Sequence, residues 1–358
     1  MNRSSVAERL DALAIPGELY DRLEDGAVQC YACAHRCRIK PGGRGVCQMR
    51  FNRKGELFVP GGYVAGVQPD PIEKKPFFHF LPGARTLTFG MLGCNFHCGF
   101  CQNWLSSQTL REPASDRSVE FVEEVTPEAL VGFAQRNGAR ILASSYNEPL
   151  ISSEWALQVF TLARERGLHS VYVSNGFATP QVLEYLYPVL QGYKIDLKSM
   201  QDVTYRALGG RLQPVLDSIR LAHEMGFWVE VVTLMVPEMN DSPEEQRRMA
   251  QFLASVSPDI PWHVTSYYPT YKMDTGGRTP AATLLRAAEI AKEEGVRYVY
   301  AGNLPGRVNS LENTYCPACG EELIHREGFY VAADRINAEG ACPECGQEIA
   351  GYWGDHQD

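Results

Sequence analysis

Three cysteines, Cys94, Cys98 and Cys101, lie in the run Gly93-Cys-Asn-Phe-His-Cys-Gly-Phe-Cys-Gln-Asn-Trp104. Their spacing, three residues and then two, lets one loop point three thiolates at a single iron–sulfur cluster. Most 4Fe–4S clusters take four cysteine ligands. Three close ligands therefore leave one iron open to an exogenous molecule. The alternative, a zinc knuckle, needs a fourth ligand from elsewhere in the chain.

The other cysteines form two groups of four. Cys30, Cys33, Cys37 and Cys47 read Cys-x2-Cys-x3-Cys-x9-Cys; Cys316, Cys319, Cys342 and Cys345 form two Cys-x2-Cys-Gly knuckles separated by 22 residues. The three groups use all eleven cysteines, which favours metal sites over disulfides in a reducing compartment. Two knuckles complete a tetrahedral S4 shell, so zinc is the expected C-terminal metal, with rubredoxin-like iron as the alternative. The N-terminal group can hold structural zinc or an auxiliary iron–sulfur cluster for electron transfer. Zinc is the expectation there, because chelation alone could order a small loop-rich segment.

A net charge of −9 argues against broad nucleic-acid binding. The charge is uneven, however. Residues 30–54 carry seven Lys or Arg and no acid, whereas residues 316–358 carry nine acids and only Arg326 and Arg335. The basic segment reads as a solvated face or as a docking face for an acidic electron donor such as a flavodoxin or ferredoxin. No apolar run approaches the roughly 20 residues that span a bilayer. The N-terminal residues are too polar for a signal peptide, so a cytoplasmic location is expected.

The elements that must position these groups alternate β-rich runs with helical stretches, the rhythm of parallel βα units. Strands are predicted at Thr86–Met91, Arg140–Ser145, His169–Val173, Tyr193–Leu197, Phe227–Val236, Trp262–Tyr267 and Tyr298–Ala301. Thr126-Pro127, Thr179-Pro180, Ser242-Pro243 and Thr279-Pro280 each offer an N-cap hydroxyl followed by proline. Gly138, Gly167, Gly226 and Gly295 mark helix ends. Seven such strands predict an α/β chain with a partial or complete TIM-like (β/α) barrel. Three parts are expected: residues 1–83 with the N-terminal cysteines and a β-hairpin region, a barrel over 84–305, and a zinc-ribbon or rubredoxin-like module over 306–358.

In barrels the loops after strand C-termini build the active site, and the cysteine triad follows the first strand. Ser145-Tyr-Asn-Glu-Pro149 ends the second strand, Ser174-Asn-Gly176 the third and Asp196-Leu-Lys198 the fourth. Asn147 and Glu148, Ser174 and Asn175, and Asp196 and Lys198 are the candidate binding residues. Alternation puts Asp196 and Lys198 on one face, toward the barrel mouth. His263, on a later strand, could face the interior.

The cysteine loop with Gln102-Asn-Trp104, the Tyr-Asn-Glu-Pro run and Asp-Leu-Lys resemble the glycyl-radical-enzyme activases of the radical S-adenosylmethionine (SAM) superfamily. Closer still is the AmmeMemoRadiSam-system radical SAM family, through Asp70-Pro-Ile-Glu-Lys-Lys75, His79-Phe-Leu-Pro-Gly83, Pro261-Trp-His263 and Asn313-Thr-Tyr-Cys-Pro-x-Cys-Gly320. The chain has Val173 where some activases place an acid. The resemblance implies a partial barrel of the radical SAM type and a 4Fe–4S cluster on Cys94, Cys98 and Cys101. It also implies SAM bound near Glu148, with Asp196 and Lys198 beside its carboxylate, and His263 as a further candidate contact. The implied activity is reductive cleavage of SAM to a 5′-deoxyadenosyl radical that abstracts hydrogen from an unidentified substrate. That is oxidoreductase chemistry of activase type on a protein, or modification of RNA or a small molecule. The implied partners are Memo-like and AMMECR-like proteins. A metal-bearing interaction protein without catalysis is the contrasting reading, and the polar residues at successive strand ends argue against it.

Overall fold

The alternating runs of the central region fold as strands and helices. The computed structural model describes residues 3–354. Its main strands are β1 (Gly66–Pro71), β2 (Arg85–Gly90), β3 (Ile141–Ser144), β4 (His169–Ser174), β5 (Gly192–Asp196), β6 (Trp228–Met235), β7 (Trp262–Ser266) and β8 (Val299–Gly302). They form one eight-stranded sheet in which every strand lies beside its neighbour in sequence. β2 to β8 are parallel, and β1 pairs antiparallel with β2. Sequential order is that of a barrel wall; a doubly wound sheet would reverse at a switch point. Among the described residues β1 and β8 do not pair, so the sheet stays open.

Each predicted strand is present within one residue at either end. The helices are α1 (Pro127–Arg136), α2 (Ser153–Glu165), α3 (Pro180–Leu186), α4 (Leu212–Glu224), α5 (Pro243–Val256) and α6 (Ala281–Glu293). Thr126, Thr179 and Ser242 cap α1, α3 and α5, each side-chain oxygen accepting from the amide three residues on. Thr279 departs from this pattern. Its Oγ1 accepts from Tyr267 N at 3.0 Å and bonds Met235 O, tying the ends of β6 and β7, while Pro280 takes the cap position of α6. Buried on both faces, the parallel strands read as apolar runs. Trp155 and Phe160 of α2 meet Phe89 of β2 edge to face at 5.5 and 6.0 Å. Such pairs add about 0.5–1.5 kcal/mol each beyond area burial, and they fix the strand that leads into the cysteine loop.

Ahead of the barrel, the helix Arg3–Ala12 precedes two small three-stranded antiparallel sheets. β1, within the segment expected to precede the barrel, is an edge strand of the barrel sheet itself. At the other end, β9 (Thr314–Tyr315), β10 (Glu322–Glu327) and β11 (Tyr330–Asp334) make a separate antiparallel sheet. This module closes the floor of the barrel. Tyr352 N donates to His79 O at 2.7 Å, Leu81 N donates to Tyr352 O at 2.8 Å, and Phe80 stacks on Tyr352 with centroids 4.4 Å apart. Arg326 Nη2 donates to Phe78 O at 2.7 Å. Beneath them Glu230, fully buried, accepts from the Phe78 and His79 amides and from Trp228 Nε1, and meets His263 Nε2 at 2.6 Å. Among the described residues no helix is long and apolar enough to cross a membrane.

Candidate active site

The site lies at the C-terminal ends of β2 to β5. A β-carbon at Gly90 would stand 2.8 Å from the Ser145 carbonyl oxygen and from the Tyr146 ring. Only glycine lets the loops after β2 and β3 come this close. Tyr146 is itself held at φ 70°, a left-handed conformation that costs a non-glycine residue of order 1–3 kcal/mol. Asn147 Oδ1 accepts from Met91 N at 3.0 Å, a second tie between the two loops.

Glu148 joins the loop after β3 to the one after β4. Its Oε1 accepts from Ser174 Oγ at 2.7 Å and Leu150 N at 3.1 Å, and its Oε2 from Asn175 N at 2.8 Å. Burial pushes its carboxyl up to about 7 against the pull of these donors. Three acceptor directions are thus occupied by the protein, and Glu148 acts first as a positioning residue. Asn175 in turn donates from Nδ2 to Asn95 Oδ1 at 2.7 Å and lies 3.9 Å from Cys94 Sγ.

The cysteine loop receives donors at two of its sulfurs. Phe96 N donates to Cys94 Sγ at 3.3 Å, and Cys101 Sγ is 3.2 Å from Ser107 Oγ. Burial pushes the Cys98 thiol up to about 12, with Lys198 pulling the other way. A thiolate at the buried Cys98 would be favoured by a bound cationic centre. Asn95 is fully buried and its Nδ2 has no partner among the described residues. An unmet donor beside Cys94 suits the sulfur acceptors of a cluster, so the residues present fit the group.

Asp196 lies between two lysines. Lys198 Nζ is 3.0 Å from Asp196 Oδ2, and Lys194 bonds Oδ1. Burial would raise the Asp196 carboxyl, but the two lysines outweigh it and hold it at about 2. Lys198 is raised in turn: burial opposes this, and Asp196 and the Cys98 sulfur override it. Lower in the barrel, Lys75 Nζ contacts Asp70 Oδ2 and Tyr146 OH, each at 3.2 Å.

The structure therefore brings the triad, Asn147, Glu148, Ser174, Asn175, Asp196 and Lys198 together. His263 stands apart. Second in β7, it is engaged by Glu230 on the barrel floor, where Phe78 and Tyr300 pack on its ring. Lys194, Lys75, Asn95 and Ser107 were not anticipated. Lys194 could have been found from the same alternation that pairs Asp196 with Lys198; Asn95 and Ser107 carry no such signal.

The other two cysteine groups belong to the segments before and after the strands of the main sheet. Cys30, Cys33 and Cys47 are buried and Cys37 half-buried. Val46 N donates to Cys37 Sγ at 3.4 Å and Arg50 N to Cys47 Sγ at 3.5 Å. Burial, then the thiols of Cys30, Cys37 and Cys47, push the Cys33 thiol up. Arg50, counted above with the basic face, is buried instead. Its Nη1 and Nη2 meet Glu154 at 2.7 and 2.6 Å. In the C-terminal group all four sulfurs lie within 4.8 Å of one another, with Cys316–Cys345 at 3.6 Å and Cys319–Cys342 at 3.7 Å. Cys316 is lowered to about 7, because backbone amides at Cys319 and Ala318 outweigh its burial.

Residues 89–253, from the end of β2 into α5, match the radical SAM superfamily. The chain belongs to the radical SAM superfamily. It is 37% identical over 333 residues to uncharacterized protein MJ0808 of Methanocaldococcus jannaschii, covering 92% of this chain and 97% of that one. It is 23% identical over 182 residues to the pyruvate formate-lyase-activating enzyme of Clostridium pasteurianum, covering 49% of this chain and 71% of the enzyme. With the isethionate sulfite-lyase activating enzyme of Oleidesulfovibrio alaskensis the identity is 27% over 174 residues, covering 46% and 55%. The radical SAM match begins at the strand that feeds the cysteine loop and includes the C-terminal ends of β2 to β5.

Proposed function

We propose that this radical SAM protein is an enzyme that holds a 4Fe–4S cluster on Cys94, Cys98 and Cys101 and binds SAM across the ends of β2 to β5. The observation that carries this reading is the meeting of three separate strand ends around the triad: Asn175 reaches Cys94 and Asn95, Glu148 clamps Asn175, and Lys198 faces Cys98. Cys94, Cys98 and Cys101 would hold a cluster with one open iron, which when bound would supply the electron for reductive cleavage of SAM to methionine and a 5′-deoxyadenosyl radical. The chain's own residues orient and shield. Tyr146, Asn147 and Glu148 form a rigid turn tied to the loops after β2 and β4, and Lys198 would offer a cation for the SAM carboxylate.

Activase-like action on a protein is favoured by the activating enzymes among the relatives, such as those of Clostridium pasteurianum and Oleidesulfovibrio alaskensis. Membership of the AmmeMemoRadiSam branch, with Memo-like and AMMECR-like partners, is supported by a shared location. His79, His263, Asn313 and their neighbours, which carry that resemblance, meet in the floor where the C-terminal module docks: His79 Nε2 is 2.5 Å from Tyr300 OH, which is 2.8 Å from Thr314 Oγ1. The C-terminal S4 group is proposed to hold structural zinc, since its sulfurs already match the roughly 3.8 Å edge of a tetrahedron with Zn–S bonds of about 2.3 Å. The test is anaerobic reduction of the reconstituted enzyme with SAM. Release of 5′-deoxyadenosine, carrying label from a deuterated substrate when one is found, is the expected result. A loaded cluster that leaves SAM intact would overturn the assignment.

A further inference from the structure

The N-terminal cysteines differ from the C-terminal ones in how their sulfurs are spread. Among the described residues, the C-terminal four form the one group of metal-ligating side chains whose ligand atoms all lie within 4.8 Å of one another. That is the compactness a single tetrahedral ion demands, near 3.8 Å along each edge for Zn–S bonds of about 2.3 Å. Of the N-terminal four, Cys30, Cys33 and Cys47 are buried and Cys37 half-buried, and their sulfurs do not reach that compactness. In this they match the central triad, whose family binds a cluster. A cluster sets irons and sulfides between its ligands and so spreads the cysteine sulfurs apart. The same chain thus carries an ion-sized arrangement and two wider ones.

A second observation points the same way. Arg50 is 2% exposed, lies beside Cys30 and Cys47, and has no partner for its Nε among the described residues. Asn95 has the same kind of unmet buried donor beside Cys94. Inorganic sulfides or cluster thiolates would satisfy both. Arg50 is held in place by its paired contacts to Glu154 and by donation to Ile151 O at 3.1 Å.

The two wide groups are also mechanically joined. His35, between Cys33 and Cys37, has Nε2 3.0 Å from Asn95 O, in the residue next to Cys94. Ala34 N donates to Phe177 O at 2.9 Å, just past the Asn175 turn. Arg111 bonds both Phe96 O and Val46 O, linking the cysteine loop to the residue before Cys47.

We infer that Cys30, Cys33, Cys37 and Cys47 ligate a second iron–sulfur cluster, fully coordinated by protein and seated against the loop of the SAM-binding triad. Being closed, it has no iron open to SAM.

The test uses the full chain with Cys94, Cys98 and Cys101 all changed to Ala, reconstituted anaerobically with iron and sulfide. About four irons and four acid-labile sulfides should remain, with a reduced EPR signal that SAM does not alter. Background iron together with a second equivalent of zinc overturns the inference. Should the triple variant fail to fold, Cys33→Ala/Cys37→Ala decides the matter: it should lose about half of the iron of the parent chain, and unchanged iron content refutes the second cluster. If the SAM reading alone is wrong, the triple variant still retains its iron, so the two failures are distinguishable.

Discussion

Glu148→Ala removes one acceptor from three buried donors. Ser174 Oγ can turn to Tyr193 OH, 3.3 Å away, but the Leu150 and Asn175 amides, at 3.1 and 2.8 Å from the carboxylate, are left in the interior. Each buried donor left unpaired costs about 1–3 kcal/mol, so the expected loss of stability is about 2–6 kcal/mol. Its pH dependence has a definite sign. Burial raises the Glu148 carboxyl to about 7 in the fold, whereas the unfolded value is about 4.3. The folded state therefore binds the proton more tightly, and this group's contribution declines as pH rises from about 4.3 to about 7, then levels off. At pH 5.5, inside that window, part of this contribution is still present, so the deficit should be large there. The deficit should shrink at pH 8, where the wild-type chain carries a buried charge. Urea unfolding of the anaerobically purified chain at both pH values measures this. A variant as stable as the parent at pH 5.5, or a deficit that grows with pH, refutes the clamp.

Three other outcomes follow from the same geometry. His263→Ala should leave SAM affinity within about twofold, because the ring belongs to the floor with Glu230, while stability falls as a buried partner is lost; calorimetric titration and unfolding separate the two effects. Metal analysis of the whole chain should find one zinc that Cys319→Ser/Cys345→Ser releases, and rubredoxin-like iron absorption at that site would contradict the zinc assignment. Arg53→Glu/Lys54→Glu should slow reduction by an acidic flavodoxin-type donor in a salt-dependent manner while dithionite reduction is unchanged; equal slowing with both reductants excludes docking there.

Strand positions and the strand-end residues were legible because buried parallel strands write apolar runs and helix starts write Thr-Pro or Ser-Pro. Thr279 shows the limit: the same dipeptide serves a loop-to-strand tie when its hydroxyl has a closer backbone partner. Spacing alone singled out the triad as a candidate ligand set. The part played by Glu148 was not, since the donors that occupy its oxygens come from Ser174 and Asn175, a strand away. His263 and Arg50 misled for a common reason. A charged or polar residue reads as available until its partner is known, and Glu230 and Glu154 lie 33 and 104 residues distant. The size of a cysteine group is equally hidden from spacing, because sulfur separations are set by how the loops fold.

The proposed function requires a cluster on Cys94, Cys98 and Cys101 with one iron open to SAM. The direct measurement is the EPR spectrum of the reduced, reconstituted chain with and without SAM, for the parent and for Cys98→Ala. The parent spectrum should change on addition of SAM, and Cys98→Ala should abolish that change while any SAM-insensitive signal persists. A loaded parent indifferent to SAM, or a SAM-dependent change that survives Cys98→Ala, would contradict it.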